Sequence, residues 1–258
     1  MSLNVTITVL MDDVAGDDRV QAEHGLCLHV ATDHGDLLLD TGQSGAFAAN
    51  ARALGVRLDR VGHVILSHGH YDHTGGLGTL YEHQPKARLV RHPDAFRPMY
   101  AREPRPPHRF IGTAEGHTRL FAEDLAAAPT EVLPGVWVTG EIPRHTDEDV
   151  GGDFCLDPEC TRPDPMLDDQ AVMLQTAAGP VVLLGCAHAG VINTLSHAAA
   201  VVGSSSIYAV VGGMHLLRAG EARLRRTVAA FERWGVQVIA PSHCTGAVAR
   251  SYLCSHFS

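Results

Sequence analysis

Residues 64–77 read Val64-Ile65-Leu66-Ser67-His68-Gly69-His70-Tyr71-Asp72-His73-Thr74-Gly75-Gly76-Leu77. The apolar run that opens the stretch has the character of a buried strand, and the Gly75-Gly76 pair closes the turn that follows. Strand side chains repeat every two residues, so His68 and His70 point the same way. After a turn, Asp72 and His73 aim back at the same volume. Neutral imidazoles and a carboxylate at this density suit zinc, with iron or manganese as alternatives.

Other apolar runs end in similar turns. Leu37-Leu38-Leu39 leads into Asp40-Thr41-Gly42, and Val181-Val182-Leu183-Leu184 leads into Gly185-Cys186-Ala187-His188-Ala189-Gly190. Further on stand Gly212-Gly213-Met214-His215-Leu216 and Pro241-Ser242-His243-Cys244-Thr245-Gly246. With the H-x-H-x-D-H cluster, these pieces make nearly the whole chain resemble the metallo-β-lactamase-fold superfamily. Adding Gly140-Glu141-Ile142-Pro143-Arg144, the chain resembles one subgroup, named after the dihydropterin–ribofuranosylaminobenzene phosphate synthases.

The resemblance implies an α/β fold, an αββα sandwich of four layers with two facing mixed sheets and outer helices. It also implies a site with two divalent metal ions. His68 and His70 hold the first; Asp72, His73 and His243 hold the second. Asp72 doubles as the residue that orients water, and Asp40 orients a metal-binding histidine. Members of the superfamily usually supply a third first-metal histidine before the strand that here is Ala171–Thr176. This chain has Leu167-Asp168-Asp169-Gln170 there. His188 is the candidate replacement, with Asp168 or Asp169 as carboxylate alternatives. Cys186 stands where many members carry a bridging aspartate. It is either a thiolate ligand or a small buried hydrophobe. His215, after two glycines, reads as a substrate-binding group or proton donor, or else as a histidine of the core.

Three functions follow as expectations. The first is a metal-dependent hydrolase, in which two cations share a hydroxide with its pKa lowered to roughly 7 and direct it at a phosphoester, ester, lactone or amide. The second is a transferase that joins a pterin methyl diphosphate to an aromatic amine, with pyrophosphate leaving. The third is a non-enzymatic ligand-sensing member of the fold, against which the intact cluster argues. Neither Ser67 nor Ser242 has the glycine setting of a nucleophile elbow, and no phosphate-binding glycine fingerprint occurs.

Composition narrows the partners. The 258 residues are 45% hydrophobic and 19% charged, with a formal charge of −9, so a small-molecule substrate is expected rather than nucleic acid. No apolar run is long enough to span a membrane, and Met1 to Asp13 lacks the basic start of a signal peptide. The six cysteines show no disulfide-framework spacing, so the expected setting is a reduced cytoplasm, with Cys155 and Cys160 as unrelated loop thiols.

One domain over 1–258 is expected, with Pro-rich loop insertions at about 93–135 and 144–169 walling the pocket. Strands are read at Val5–Leu10, Gly25–Ala31, Asp36–Asp40, Ala87–Arg91, Val136–Thr139, Ala171–Thr176, Val181–Leu184, Tyr208–Val211 and Val236–Ala240. Helices are read at Ser44–Leu54, with Ser44 as the cap, and near Gly76–His83, Val191–Val202 and Gly220–Trp234.

Overall fold

Leu37 and Leu39 face one way along their strand and Leu38 the other, and the two directions meet different cores. The same alternation sends Val181 and Leu183 inward while Val182 and Leu184 face out. Strands buried on both faces need a layer on each side, which is the physical origin of the four-layer stack. The computed structural model describes residues 2–148 and 152–257; residues 149–151 of the 144–169 stretch lie outside it.

In chain order the first strands are β1 (Val5–Met11), β2 (Cys27–Thr32), β3 (Gly35–Leu39), β4 (Val61–Ile65) and β5 (Arg88–Arg91). Then come the short β6 (Tyr100–Ala101) and β7 (Arg109–Phe110), and β8 (Ala122–Leu125). The first sheet runs β1-β2-β3-β4-β5-β8, antiparallel up to β3 and parallel beyond it. The remaining strands are β9 (Thr130–Leu133), β10 (Val136–Val138), β11 (Phe154–Cys155), β12 (Ala171–Thr176), β13 (Gly179–Leu184), β14 (Ala209–Gly213) and β15 (Val238–Ser242). They build a second sheet, β15-β14-β13-β12-β10-β9, in which β13, β14 and β15 are parallel. A small third sheet pairs β11 and β7 on either side of β6.

Between the two large sheets lie Leu28, Val30, Leu37, Leu39 and Ile65 from one and Val172, Leu174, Leu183 and Val211 from the other. Outside the first sheet, helices α1 (Ala46–Ala53) and α3 (Leu77–His83) add Phe47, Leu77 and Leu80 to a core with Leu38, Val64 and Leu66. Outside the second pack α4 (Val191–Val201), α5 (Glu221–Arg233) and α6 (Ala247–Cys254), through Leu195, Leu224, Val228, Phe231 and Leu253. The three- and four-residue spacing of Leu224, Val228 and Phe231 makes one apolar stripe on α5.

Several expectations change in detail. Helix α1 begins at Ala46, with Gly45 at its N-cap. Ser44 stands one residue ahead of that cap, its hydroxyl donating to Glu23 Oε2 at 2.6 Å and accepting from the Ala46 amide at 3.1 Å. The 93–135 stretch is not all loop, since β8 extends the first sheet and β9 the second. Cys155 and Cys160 are not unrelated thiols but form a disulfide, Cα–Cα 5.0 Å. The Asp157 side chain accepts from the backbone amides of Thr161 and Arg162, which folds the chain back and brings the two sulfurs together. No helix among the described residues is long and apolar enough to cross a membrane.

The parallel pairs decide where the chemistry sits. Parallel strands end on the same edge, and crevices at such carboxyl ends are where open α/β sheets bind ligands. Asp40 follows β3, His68 follows β4, Cys186 follows β13, His215 follows β14 and His243 follows β15.

Candidate metal centre

The chain turns sharply after β4. Gly69 makes that possible, because a Cβ there would fall 1.7 Å from the carbonyl oxygen of Ala95. His68 and His70 flank it, with His68 Nε2 3.0 Å from His70 Nδ1. His188 arrives from the other sheet, its ring centroid 4.8 Å from that of His68 and 5.1 Å from that of His70. The three imidazoles offer nitrogens within 4.8 Å of one another, a spacing that can serve one cation.

A second set lies alongside. Asp72 and His73 sit on the one-turn helix α2 (Tyr71–Thr74), directly after His70. Asp72 Oδ2 is 3.7 Å from His73 Nε2 and 3.4 Å from His243 Nε2. Cys186 joins the two sets, with its Sγ 3.3 Å from His73 Nε2 and a place in a group with His68 and His73.

A layer of oxygen acceptors fixes which ring nitrogens face inward. His73 Nδ1–H donates to Asp40 Oδ2 at 2.7 Å. The Ser67 hydroxyl also donates to Asp40 Oδ2, and Ser67 Oγ in turn lies 2.9 Å from His68 Nδ1. His243 Nδ1–H donates to Asp13 Oδ1 at 2.7 Å. With each Nδ1 so occupied, Nε2 of His68, His73 and His243 faces the centre, the arrangement a metal-binding imidazole needs. Although burial opposes it, Asp13 and Asp72 hold the His243 pKa well above the usual imidazole value, so a cation there would displace its Nε2 proton. Asp40, Ala187, His215 and His243 all take left-handed backbone angles, with φ from 47° to 60°. Non-glycine residues persist there, at a cost of order 1–3 kcal/mol each, only where the surroundings hold them.

Electrostatics keep the donors ready. Burial pushes the pKa values of His68 and His188 well down, and takes His70 to about 3, so these rings are neutral. Burial works against the Asp72 carboxylate, but His73, His24 and His243 around it outweigh burial and keep it ionised. His24 was not anticipated from sequence. Its ring bridges Asp13 Oδ2 at 3.0 Å and Asp72 Oδ2 at 3.2 Å, and those two carboxylates raise its pKa to about 9.

Whether cations fit can be judged from the unsatisfied atoms. Both ring nitrogens of His188, and Nε2 of His70 and His243, are buried without a hydrogen-bond partner. Leaving such an atom unpaired costs about 1–3 kcal/mol. His70, His188 and His243 thus bring unpartnered nitrogens beside an ionised carboxylate and a thiol, a donor set that zinc or iron accepts.

Asp168 and Asp169 have other work. Asp168 Oδ2 accepts from the Gly69 amide at 2.9 Å, and Asp169 Oδ2 accepts from the Ala189 amide at 2.8 Å. Neither falls in a donor group. They hold in place the two loops that carry His68, His70 and His188. Burial raises the pKa of Asp168 to about 7 and of Asp169 to about 6.

A cavity of about 550 Å³ opens over the centre, lined by His70, Asp72, His188, His215 and His243 among others. The 93–135 stretch contributes Arg102, Arg109 and Ile111, and the 144–169 stretch contributes Asp153 and Phe154. The ring of Phe154 packs 5.0 Å from His70 and 5.3 Å from His188. Asp13, His24 and Cys244 also reach the cavity and were missed by sequence reasoning. The only sequence signal for Asp13 was its place just after the first strand; His24 carried none.

Residues 21–193 match the family model for the metallo-beta-lactamase superfamily. The chain is 27% identical over 274 residues to a 7,8-dihydropterin-6-methyl-4-(beta-D-ribofuranosyl)-aminobenzene-5'-phosphate synthase of Methanocaldococcus jannaschii, covering 98% of this chain and 92% of that protein. It is 27% identical over 245 residues to an uncharacterised protein of the same organism, covering 93% and 90%. Among solved structures, a metal-dependent hydrolase of the beta-lactamase superfamily matches with a TM-score of 0.85 at 31% identity, covering 98% of this chain and 93% of the other.

Proposed function

Because the chain belongs to the metallo-β-lactamase superfamily, we propose that its cavity is the active site of a two-metal hydrolase acting on a phosphoester, ester, lactone or amide. The observation that carries this reading is the pair of donor sets, His68–His70–His188 and Asp72–His73–His243, opening on one cavity. The first would hold one cation, the second the other, with Cys186 between them. Bound there, divalent cations supply Lewis-acid polarisation of the substrate and an acidified water.

The chain's own residues do the rest. Asp40 and Asp13 lock the imidazoles in the tautomer that turns Nε2 inward. Asp72 orients the water from its place between the rings of His73 and His243. His24 holds a proton at the cavity wall against Asp13 and Asp72. Phe154 covers His70 and His188 and keeps bulk water from them. The experiment is a panel of phosphodiester, lactone and amide substrates, assayed with zinc-, iron- and manganese-loaded protein. The reading expects turnover of at least one class that is lost on chelation and restored by metal. Turnover unaffected by chelation would contradict it.

A second reading is favoured by the arginines. Arg218 and Arg250 line the cavity, as do Arg102 and Arg109, which pair there with Asp153 at 2.7 Å and Glu103 at 3.6 Å. Guanidinium groups suit a phosphorylated or diphosphate substrate. The M. jannaschii relative is a synthase of a dihydropterin-methyl-ribofuranosyl-aminobenzene phosphate, so a pterin methyl diphosphate with an aromatic amine is the pair to test. A product that forms only when the amine is present would replace hydrolysis by transfer.

A further inference from the structure

β13, β14 and β15 run parallel, and each places a soft donor two residues past its end: Cys186, His215 and Cys244. The pairing Gly213↔Ser242 carries His215 and Cys244 forward in register. The three donor atoms lie within 4.8 Å of one another. We propose that Cys186, His215 and Cys244 form a third, sulfur-rich cation position that takes a thiophilic ion such as Zn²⁺, Cd²⁺ or Cu⁺. It shares Cys186 with the centre described above but does not depend on the reaction proposed there.

Three observations support it. His215 Nδ1 is buried and has no hydrogen-bond partner. The His215 backbone is held in the left-handed region, φ 47°, by its amide donating to Cys244 Sγ at 3.2 Å. Gly213 leaves room for the sulfur, since a Cβ there would fall 2.7 Å from Cys244 Sγ. The backbone has thus been shaped around the thiol. Among the described donor groups this is the one with two sulfurs. Two thiolates and an imidazole favour soft cations, whereas the Asp72 set favours harder ones. The role assigned to His215 is therefore ligation rather than contact with substrate.

The test loads the 258-residue protein with ¹¹³Cd²⁺ alone and records its cadmium NMR spectrum with the bound stoichiometry. The wild type should give a resonance in the two-thiolate range, well separated from those of the imidazole and carboxylate sets. Cys244→Ser should lose that resonance and bind one equivalent fewer, and His215→Ala should lose the same equivalent. A wild-type spectrum without a two-thiolate resonance would overturn the proposal, and needs no variant to fold. So would a Cys244→Ser spectrum identical to wild type. His70→Ala separates the two claims, because it cuts the three-imidazole set and should leave the two-thiolate resonance in place. If the imidazole sets bound no cadmium while this resonance appeared, the hydrolase reading alone would fall.

Discussion

Asp40 shows how one side chain can set the state of several others. Fully buried, it accepts from the Ser67 amide and hydroxyl and from His73 Nδ1. An asparagine there would offer one acceptor oxygen and an NH₂ donor. His73 would then be driven to the tautomer with its proton on Nε2, where a cation must bind. Asp40→Asn is expected to weaken metal affinity by about 10–100-fold, measured by competition with a chelator. Affinity unchanged from wild type would show that the tautomer is set elsewhere. His188 is the other decisive residue. Its imidazole is the one grouped with those of His68 and His70, whereas Asp168 and Asp169 stand outside that group and tie down backbone amides. His188→Ala should release one cation much more readily than the other, and activity should fall with it. A variant that holds both cations at wild-type affinity would remove His188 from the centre.

At the scale of elements, what matters is how loops are tied to strands. Asp168 fastens the Gly69 turn, and its buried carboxyl titrates far above its unfolded value of about 3.8, at about 7. A raised folded pKa means that the stabilisation is fully present below about 3.8 and is lost as pH rises through about 7. Asp168→Asn keeps an oxygen for the Gly69 amide and cannot ionise. Urea denaturation across this window should therefore show a shallower fall in stability for the variant, whereas parallel profiles would contradict the assignment. The disulfide is a second tie. It closes only a short loop, so its loss should cost at most about 2 kcal/mol globally. Locally it anchors β11, which pairs with β6 and carries Phe154 over the imidazoles. Limited proteolysis should thus cut near 152–165 faster under reducing conditions, while the sheets stay intact. Equal cleavage rates with and without reductant would show that the small sheet holds by itself.

For the whole molecule, the legible and illegible parts of the sequence separate by range. His68, His70, Asp72 and His73 were readable because the tight turn after β4 and one turn of α2 bring them together within six residues. His188 and Cys186 were read from strand period two, but β13 ends at Leu184 and a left-handed Ala187 (φ 56°) separates them, so it is that turn and not the strand that aims both side chains inward. Asp13 and His24 were not, because their positions depend on His243 and Asp72, which lie far along the chain. The disulfide was hidden for a similar reason: it forms where the Asp157 turn and β6 meet, and nothing in the cysteine spacing marks that. The two facing sheets required the resemblance, since the alternation in β3 and β13 shows burial on both faces but not what covers each face. The two sheets bring two separate donor sets to one cavity, and whether each takes a cation is the decisive point. A crystal structure of the metal-loaded protein, with anomalous scattering at the metal edge, tests it most directly. One peak is expected among His68, His70 and His188 and another among Asp72, His73 and His243. The absence of a peak at either set in fully loaded crystals would contradict it.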